Sequence, residues 1–182
     1  MCRCHEHMVV LVTGGAASGK SALAEQIACR LAKGQPMLYV AAMDPQGEEA
    51  QRRIARHRAL RAGKGFTTLE HAKRFDRMQI AGGYHTALFE CMSNALANEI
   101  FAPDGAGENW KASILTGVKR LEQACTHVVI VTNDIFADGV TYDASTMRYL
   151  YALGALNQLL AQRADVVVES VCGIPVMIKG EW

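Results

Sequence analysis

Gly14-Gly15-Ala16-Ala17-Ser18-Gly19-Lys20-Ser21 follows the apolar run Met8-Val9-Val10-Leu11-Val12 and opens a helical pattern with Leu23, Ile27 and Leu31 four residues apart. The octapeptide satisfies G-x-x-x-x-G-K-[ST] in the strand–loop–helix setting that the motif requires. Small residues let backbone N–H groups fold around phosphate oxygens, and the helix N-terminus adds its partial positive charge. Lys20 is placed to reach β- and γ-phosphate oxygens, and the Ser21 hydroxyl to complete the shell of a Mg²⁺ ion bridging them. Gly14 to Ser21 therefore reads as a loop that grips the phosphates of a purine nucleoside triphosphate.

Outward from the loop, β-rich apolar runs alternate with longer helical patterns. Strands are expected at Met8–Val12, Met37–Ala42, Phe66–Leu69, His85–Phe89, Val128–Thr132, Val166–Ser170 and Val176–Ile178. Helices are expected at Lys20–Lys33, Glu48–Arg61, Met92–Phe101, Trp110–Ala124 and Ser145–Gln162. That alternation predicts an α/β fold of the P-loop NTPase kind, a mostly parallel sheet with helices on both faces. With 182 residues and no internal linker, one domain over residues 8–182 is expected, with 1–7 as a disordered tail.

Nineteen basic and eighteen acidic residues leave a net charge of +1. No bulk field draws in nucleic acid, so phosphate binding must come from a local site. No run reaches the length of a membrane span, and the short N-terminal apolar stretch reads as a core strand rather than a signal. A cytoplasmic enzyme is expected, its six cysteines free thiols packed mostly as small hydrophobes. The cluster Cys2-Arg3-Cys4-His5-Glu6-His7 lacks the loop spacing of zinc modules and reads as part of the tail.

Two further features carry chemistry. Glu90 ends the buried run Ala87-Leu88-Phe89, where a second metal ligand is needed; a carboxylate serving the N-terminus of the next helix is the alternative. The segment Arg52-Arg53-Ile54-Ala55-Arg56-His57-Arg58-Ala59-Leu60-Arg61 sets one histidine among five arginines. On a helix, Arg53, His57 and Arg61 share a face, and like charges so stacked favour a polyanionic partner. Neighbouring cations favour neutral imidazole, the nucleophilic form. From periodicity alone, a solvated basic helix with an incidental histidine stays open.

Residues 53–61, RIARHRALR, together with GGAASGKS, resemble the bifunctional adenosylcobinamide kinase/adenosylcobinamide-phosphate guanylyltransferase family. Val131-Thr132-Asn133-Asp134, Leu153-Gly154-Ala155-Leu156-Asn157-Gln158, Ala164-Asp165 and the ending Gly173-Ile174-Pro175 … Ile178-Lys179 extend the likeness over residues 9 to 179. The sequence departs from the family pattern at Ala17, over Phe136–Asp143 and at Tyr149-Leu150-Tyr151. The resemblance implies two reactions at one site. A nucleoside triphosphate, ATP or GTP, phosphorylates adenosylcobinamide; a histidine then takes GMP from GTP and passes it to the cobinamide phosphate. By position His57 is that nucleophile, with Lys20 as the second catalytic residue.

The resemblance also implies nucleotide contacts from Ala41, Ala42 and Met43, from Arg58, Ala59, Leu60 and Arg61, and from Glu70 and Glu90. Glu70 is expected at the guanine edge, with a plain surface glutamate as the alternative. Asn133 and Asp134 face cobinamide or the metal, or simply shape the strand end. A homo-oligomer, a trimer, is implied as well. Two rival readings are an ordinary small-molecule kinase without a covalent step and a nucleotide-gated binding protein.

Overall fold

The computed structural model describes residues 7–44, 47–135, 139, 140 and 142–181, with the backbone alone at 49, 53 and 60. Seven strands form a single sheet: β1 (Met8–Thr13), β2 (Met37–Ala41), β3 (Phe66–Glu70), β4 (Thr86–Glu90), β5 (His127–Val131), β6 (Val166–Val171) and β7 (Ile174–Lys179). Five helices join them: α1 (Lys20–Ala32), α2 (Glu48–Arg61), α3 (Met92–Phe101), α4 (Trp110–Ala124) and α5 (Ala144–Arg163). The strand order is β3-β2-β4-β5-β1-β6-β7, and every neighbouring pair is parallel except β6 with β7.

Buried strands of this kind read as unbroken apolar runs because both faces are covered. Alternate residues of β1 divide accordingly. Val10 and Val12 pack with Leu23, Ile27 and Ala28 of α1, while Val9 and Leu11 join the layer of Leu96, Ile114 and Leu153 from α3, α4 and α5. The phosphate loop and the ends of β4 and β5 therefore lie at the carboxyl edge of the sheet, where α/β folds bind ligands.

The residues described include the first six of the predicted strands within a residue or two, the usual disagreement over element ends. The last strand is longer than expected. It starts at Ile174 and takes in Pro175, which a sheet edge tolerates because one side of that strand needs no donor. Two single-turn 3₁₀ segments, Phe75–Arg77 and Gly107–Asn109, were not anticipated. Cys91 and Cys125 are buried, but Cys172 stands exposed at a φ of 51° in the β6–β7 turn, so it is not a packed thiol. The cysteines of the expected tail, and residues 136–138 of the divergent segment, lie outside the described residues.

The Gly173 … Lys179 ending braces the fold. The Gly173 N–H and the Ser170 hydroxyl both donate to the Ser18 carbonyl, at 2.8 and 2.7 Å, tying the phosphate loop to the β6–β7 turn. Lys179 Nζ donates to the carbonyls of Ala161 and Gln162 at 3.1 and 3.2 Å, and to that of Ala164. A cation on the last carbonyls of α5 satisfies groups the helix cannot pair itself and complements its dipole.

Candidate active site

The phosphate loop leaves β1 and turns into α1 at Gly19, whose N-cap position carries no side-chain cap. The first N–H groups of α1 are thus without an internal partner at the point where phosphate would lie. Gly14 has a φ of 152°, and a Cβ there would stand 2.6 Å from Ser18 Oγ and 2.8 Å from the Ser170 carbonyl. Close approach of the loop to β6 requires glycine at this position. Lys20 Nζ donates to the Gly15 carbonyl at 2.9 Å, holding its ammonium over the loop. Asp134 N–H donates to the Gly14 carbonyl at 3.1 Å, so the end of β5 buttresses the same loop, and Asn133 Nδ2 donates to Ser93 Oγ at the start of α3.

Glu90 is the junction of the site. It is 8% exposed, and a carboxylate so enclosed needs partners. The Ser21 hydroxyl donates to Oε1 and the Tyr39 hydroxyl donates to Oε2 at 2.8 Å. Burial, followed by the charge of Glu90, drives the Tyr39 phenol far above its ordinary pKa, so it remains a donor. The oxygen-only pair of Ser21 and Glu90 is a hard donor set that fits Mg²⁺.

His57 approaches from α2. Its Nδ1 is 3.7 Å from Glu90 Oε1, and that nitrogen is buried without a hydrogen-bond partner while the side chain keeps 22% exposure. The ring therefore turns Nδ1 inward to the carboxylate and its other edge outward. One turn further along α2, the Arg61 guanidinium lies 3.4 Å from the centroid of the Tyr39 ring, a cation–π stack that is nearly buried. Arg58 pairs with Glu70 across the gap to β3, and Arg52 pairs with Glu48. Arg58, expected at the nucleotide, thus has a carboxylate partner within the chain, while Arg61 has an aromatic one and a buried Nη1 without a hydrogen bond.

Between α2 and the ends of β2 and β3 lies a cleft of about 470 Å³, lined by Ala41, Met43, Arg58, Arg61, Glu70 and His71 among others. That volume is within the range of small-ligand sites, about 300–1,000 Å³. Of the expected nucleotide contacts, Ala41, Met43, Arg58, Arg61 and Glu70 meet here. Ala42 is instead fully buried, its N–H donating to the Glu90 carbonyl at 3.0 Å, and Ala59 is exposed. The Leu60 side chain lies outside the description.

Tyr39, Thr68 and His71 were missed by sequence reasoning. In Met37-Leu38-Tyr39-Val40-Ala41 the tyrosine reads as one more core residue, although a buried phenol always needs a polar partner. That need was the available signal.

The family model described as cobinamide kinase / cobinamide phosphate guanyltransferase matches residues 10–178. The chain belongs to this family. It is 30% identical to the bifunctional adenosylcobalamin biosynthesis protein CobP of Pseudomonas aeruginosa over 174 residues, 94% of this chain and 97% of the relative. It is 31% identical over 185 residues to CobU of Salmonella typhimurium, with the same bifunctional description, covering 94% of this chain and all of the relative (100%).

Among solved structures, the flagellar accessory protein FlaH of Methanocaldococcus jannaschii superposes with a TM-score of 0.53 at 12% identity, covering 96% of this chain and 79% of that one. An ATPase of a bacterial type III secretion system gives 0.55 at 11% identity, covering 93% and 56%. These likenesses support the P-loop fold alone. As a cobinamide kinase/guanyltransferase family member the chain is a transferase of adenosylcobalamin biosynthesis. No helix among the described residues is long and apolar enough to cross a membrane.

Proposed function

We propose that this chain phosphorylates adenosylcobinamide with a nucleoside triphosphate and then transfers GMP from GTP to the product through a covalent GMP-His57. The observation that carries the reading is the convergence on Glu90 Oε1 of Ser21, from the phosphate loop, and His57, from the basic helix. A P-loop kinase has no need of a histidine at that carboxylate; a nucleotidyl transferase working through a P–N bond does.

In the first reaction Lys20 and the N-terminus of α1 hold the triphosphate, and the acceptor hydroxyl attacks the terminal phosphorus in line. Ser21 and Glu90 would hold Mg²⁺, which when bound neutralises charge on the phosphate oxygens. In the second, the outward ring nitrogen of His57 forms a bond to the α-phosphorus of GTP. The bond to the bridging oxygen breaks, and pyrophosphate leaves with the electron pair. The cobinamide phosphate oxygen then attacks the same phosphorus and the imidazole departs, giving adenosylcobinamide-GDP. The cleft between α2 and β3 takes the guanine, with Glu70 at its N1–H and amino edge and Arg58 beside it.

The test is intact mass after incubation with GTP and Mg²⁺, followed by peptide mapping of the base-stable adduct. One added GMP on His57 is expected. His57→Ala should lose the adduct and guanylyl transfer entirely while cobinamide phosphorylation persists. A wild-type protein that phosphorylates cobinamide yet gains no GMP would reduce the activity to that of a kinase.

A further inference from the structure

Tyr39 lies one strand away from Glu90, beneath α2, and is neither a phosphate ligand nor a nucleophile in either reaction. Its hydroxyl is spent on a single bond, to Glu90 Oε2 at 2.8 Å. Its ring is covered by Arg61, four residues after His57 on the same helix. The side chain therefore touches the carboxylate and the helix of the nucleophile at once. The bond from Tyr39 to Oε2 fixes the orientation of the carboxylate, and Oε1, which also accepts from the Ser21 hydroxyl, is the oxygen that faces His57 Nδ1.

We propose that Tyr39 is a positioning residue for guanylyl transfer: it locks Glu90 so that Oε1 receives the Nδ1–H of His57 and directs the opposite ring nitrogen at the nucleotide. The inference rests on His57 being the nucleophile. Only one nitrogen of a neutral imidazole carries a lone pair in the ring plane, and the hydrogen bond made by the other decides which. A carboxylate opposite Nδ1 selects the tautomer in which Nε2 attacks, the same logic by which the third member of a catalytic triad orients its histidine.

The present gap of 3.7 Å exceeds a hydrogen bond. It closes to about 2.8 Å with a shift of α2 or a side-chain rotation of roughly 1 Å, the kind of tightening that accompanies substrate binding. When Nε2 bonds to phosphorus the ring becomes cationic, and Glu90 lies where that charge develops. The Nδ1 proton stays on the ring throughout, so no further acid or base is needed. Arg61 completes the device, since its stack on Tyr39 couples the pitch of α2 to the ring that holds Glu90.

Tyr39→Phe tests this, because it removes one oxygen and keeps the ring under Arg61. GMP-enzyme formation from GTP and Mg²⁺ is followed in single turnovers at several GTP concentrations. The expected result is a rate at saturation lowered about 10- to 100-fold, the usual cost of removing an orienting partner one shell out. Half-saturation should stay within about twofold, since the hydroxyl bonds only Glu90, while the melting temperature falls by a few degrees because a buried carboxylate loses one partner. In a Glu90→Gln background the same change should slow the residual reaction no further, because both act through one carboxylate.

A Tyr39→Phe protein labelled at the wild-type rate overturns the inference. So does a defect confined to half-saturation, or one that multiplies with that of Glu90→Gln. Should wild-type protein itself take no label, the covalent reading fails first and this inference falls with it.

Discussion

Glu90 is placed by β4 with one oxygen against Tyr39 and the other against Ser21 and His57, so its charge rather than its shape is what the site uses. Glu90→Gln keeps the shape and removes the charge. The variant should fold with a melting temperature close to wild type and retain nucleotide affinity. Turnover in both reactions should fall by about 10²–10³-fold, the scale on which single electrostatic stabilisers act. The check is turnover against Mg²⁺ concentration; an unchanged rate and metal dependence would assign Glu90 to the start of α3 instead. At this scale the sequence singled out Lys20 by its motif and Glu90 by the charge that ends an apolar run, whereas His57 stood out only through the family resemblance. Tyr39 was not legible, because its meaning comes from a neighbour 51 positions away, and Glu70 acquires a partner, Arg58, only when β3 is laid beside α2.

The elements follow their periodicity closely because β1, β4 and β5 are covered on both faces and α4 on one, so burial alone marks them. What periodicity could not report is the 3₁₀ turn at Phe75–Arg77, three residues long and held by side chains from elsewhere. The Phe75 N–H donates to Glu99 of α3 at 3.0 Å, and the Asp76 N–H to Ser113 of α4 at 3.1 Å. Gly117 of α4 lets this turn press in: a Cβ there would meet Phe75 Cβ at 2.7 Å and the Phe75 carbonyl at 3.3 Å. Two effects then oppose each other in Gly117→Ala. Helix propensity favours alanine by about 0.5–1 kcal/mol, while forcing a methyl into a packed contact costs about 1–3 kcal/mol. Phe75 is fully buried and its backbone is held from two sides, so it cannot yield and the second effect wins. Urea denaturation should show a net loss of about 1–2 kcal/mol; a stabilised variant would mean that the turn moves freely against α4.

Across the whole molecule the two edges of the sheet do different work. The candidate phosphate site lies at the carboxyl ends, while at the amino ends β5 begins with His127, opposite Met8 of β1 and Thr86 of β4. The His127 ring is buried, its Nδ1 has no hydrogen-bond partner, and it packs edge-on against His85 with centroids 5.0 Å apart. Burial lowers its pKa, and the neighbouring positive charges of His85, His7 and Lys33 lower it further. The folded protein therefore keeps His127 neutral at a pH where the unfolded chain, with a histidine pKa of about 6.5, takes up a proton. Above about pH 6.5 this group makes stability no more or less pH-dependent. Below it the unfolded state binds the extra proton, and stability falls with pH by at most about 1.4 kcal/mol per unit until the folded value is reached. Asp76, held first by its hydrogen bond from Arg74, is lowered to about 2 and titrates below that window. Urea denaturation at about pH 7 and about pH 5 should therefore show wild type losing more stability than His127→Gln, whatever the offset between them at the higher pH. Parallel losses would place the proton elsewhere, with His85 next to be replaced, since it is the only other imidazole packed against that ring among the described residues.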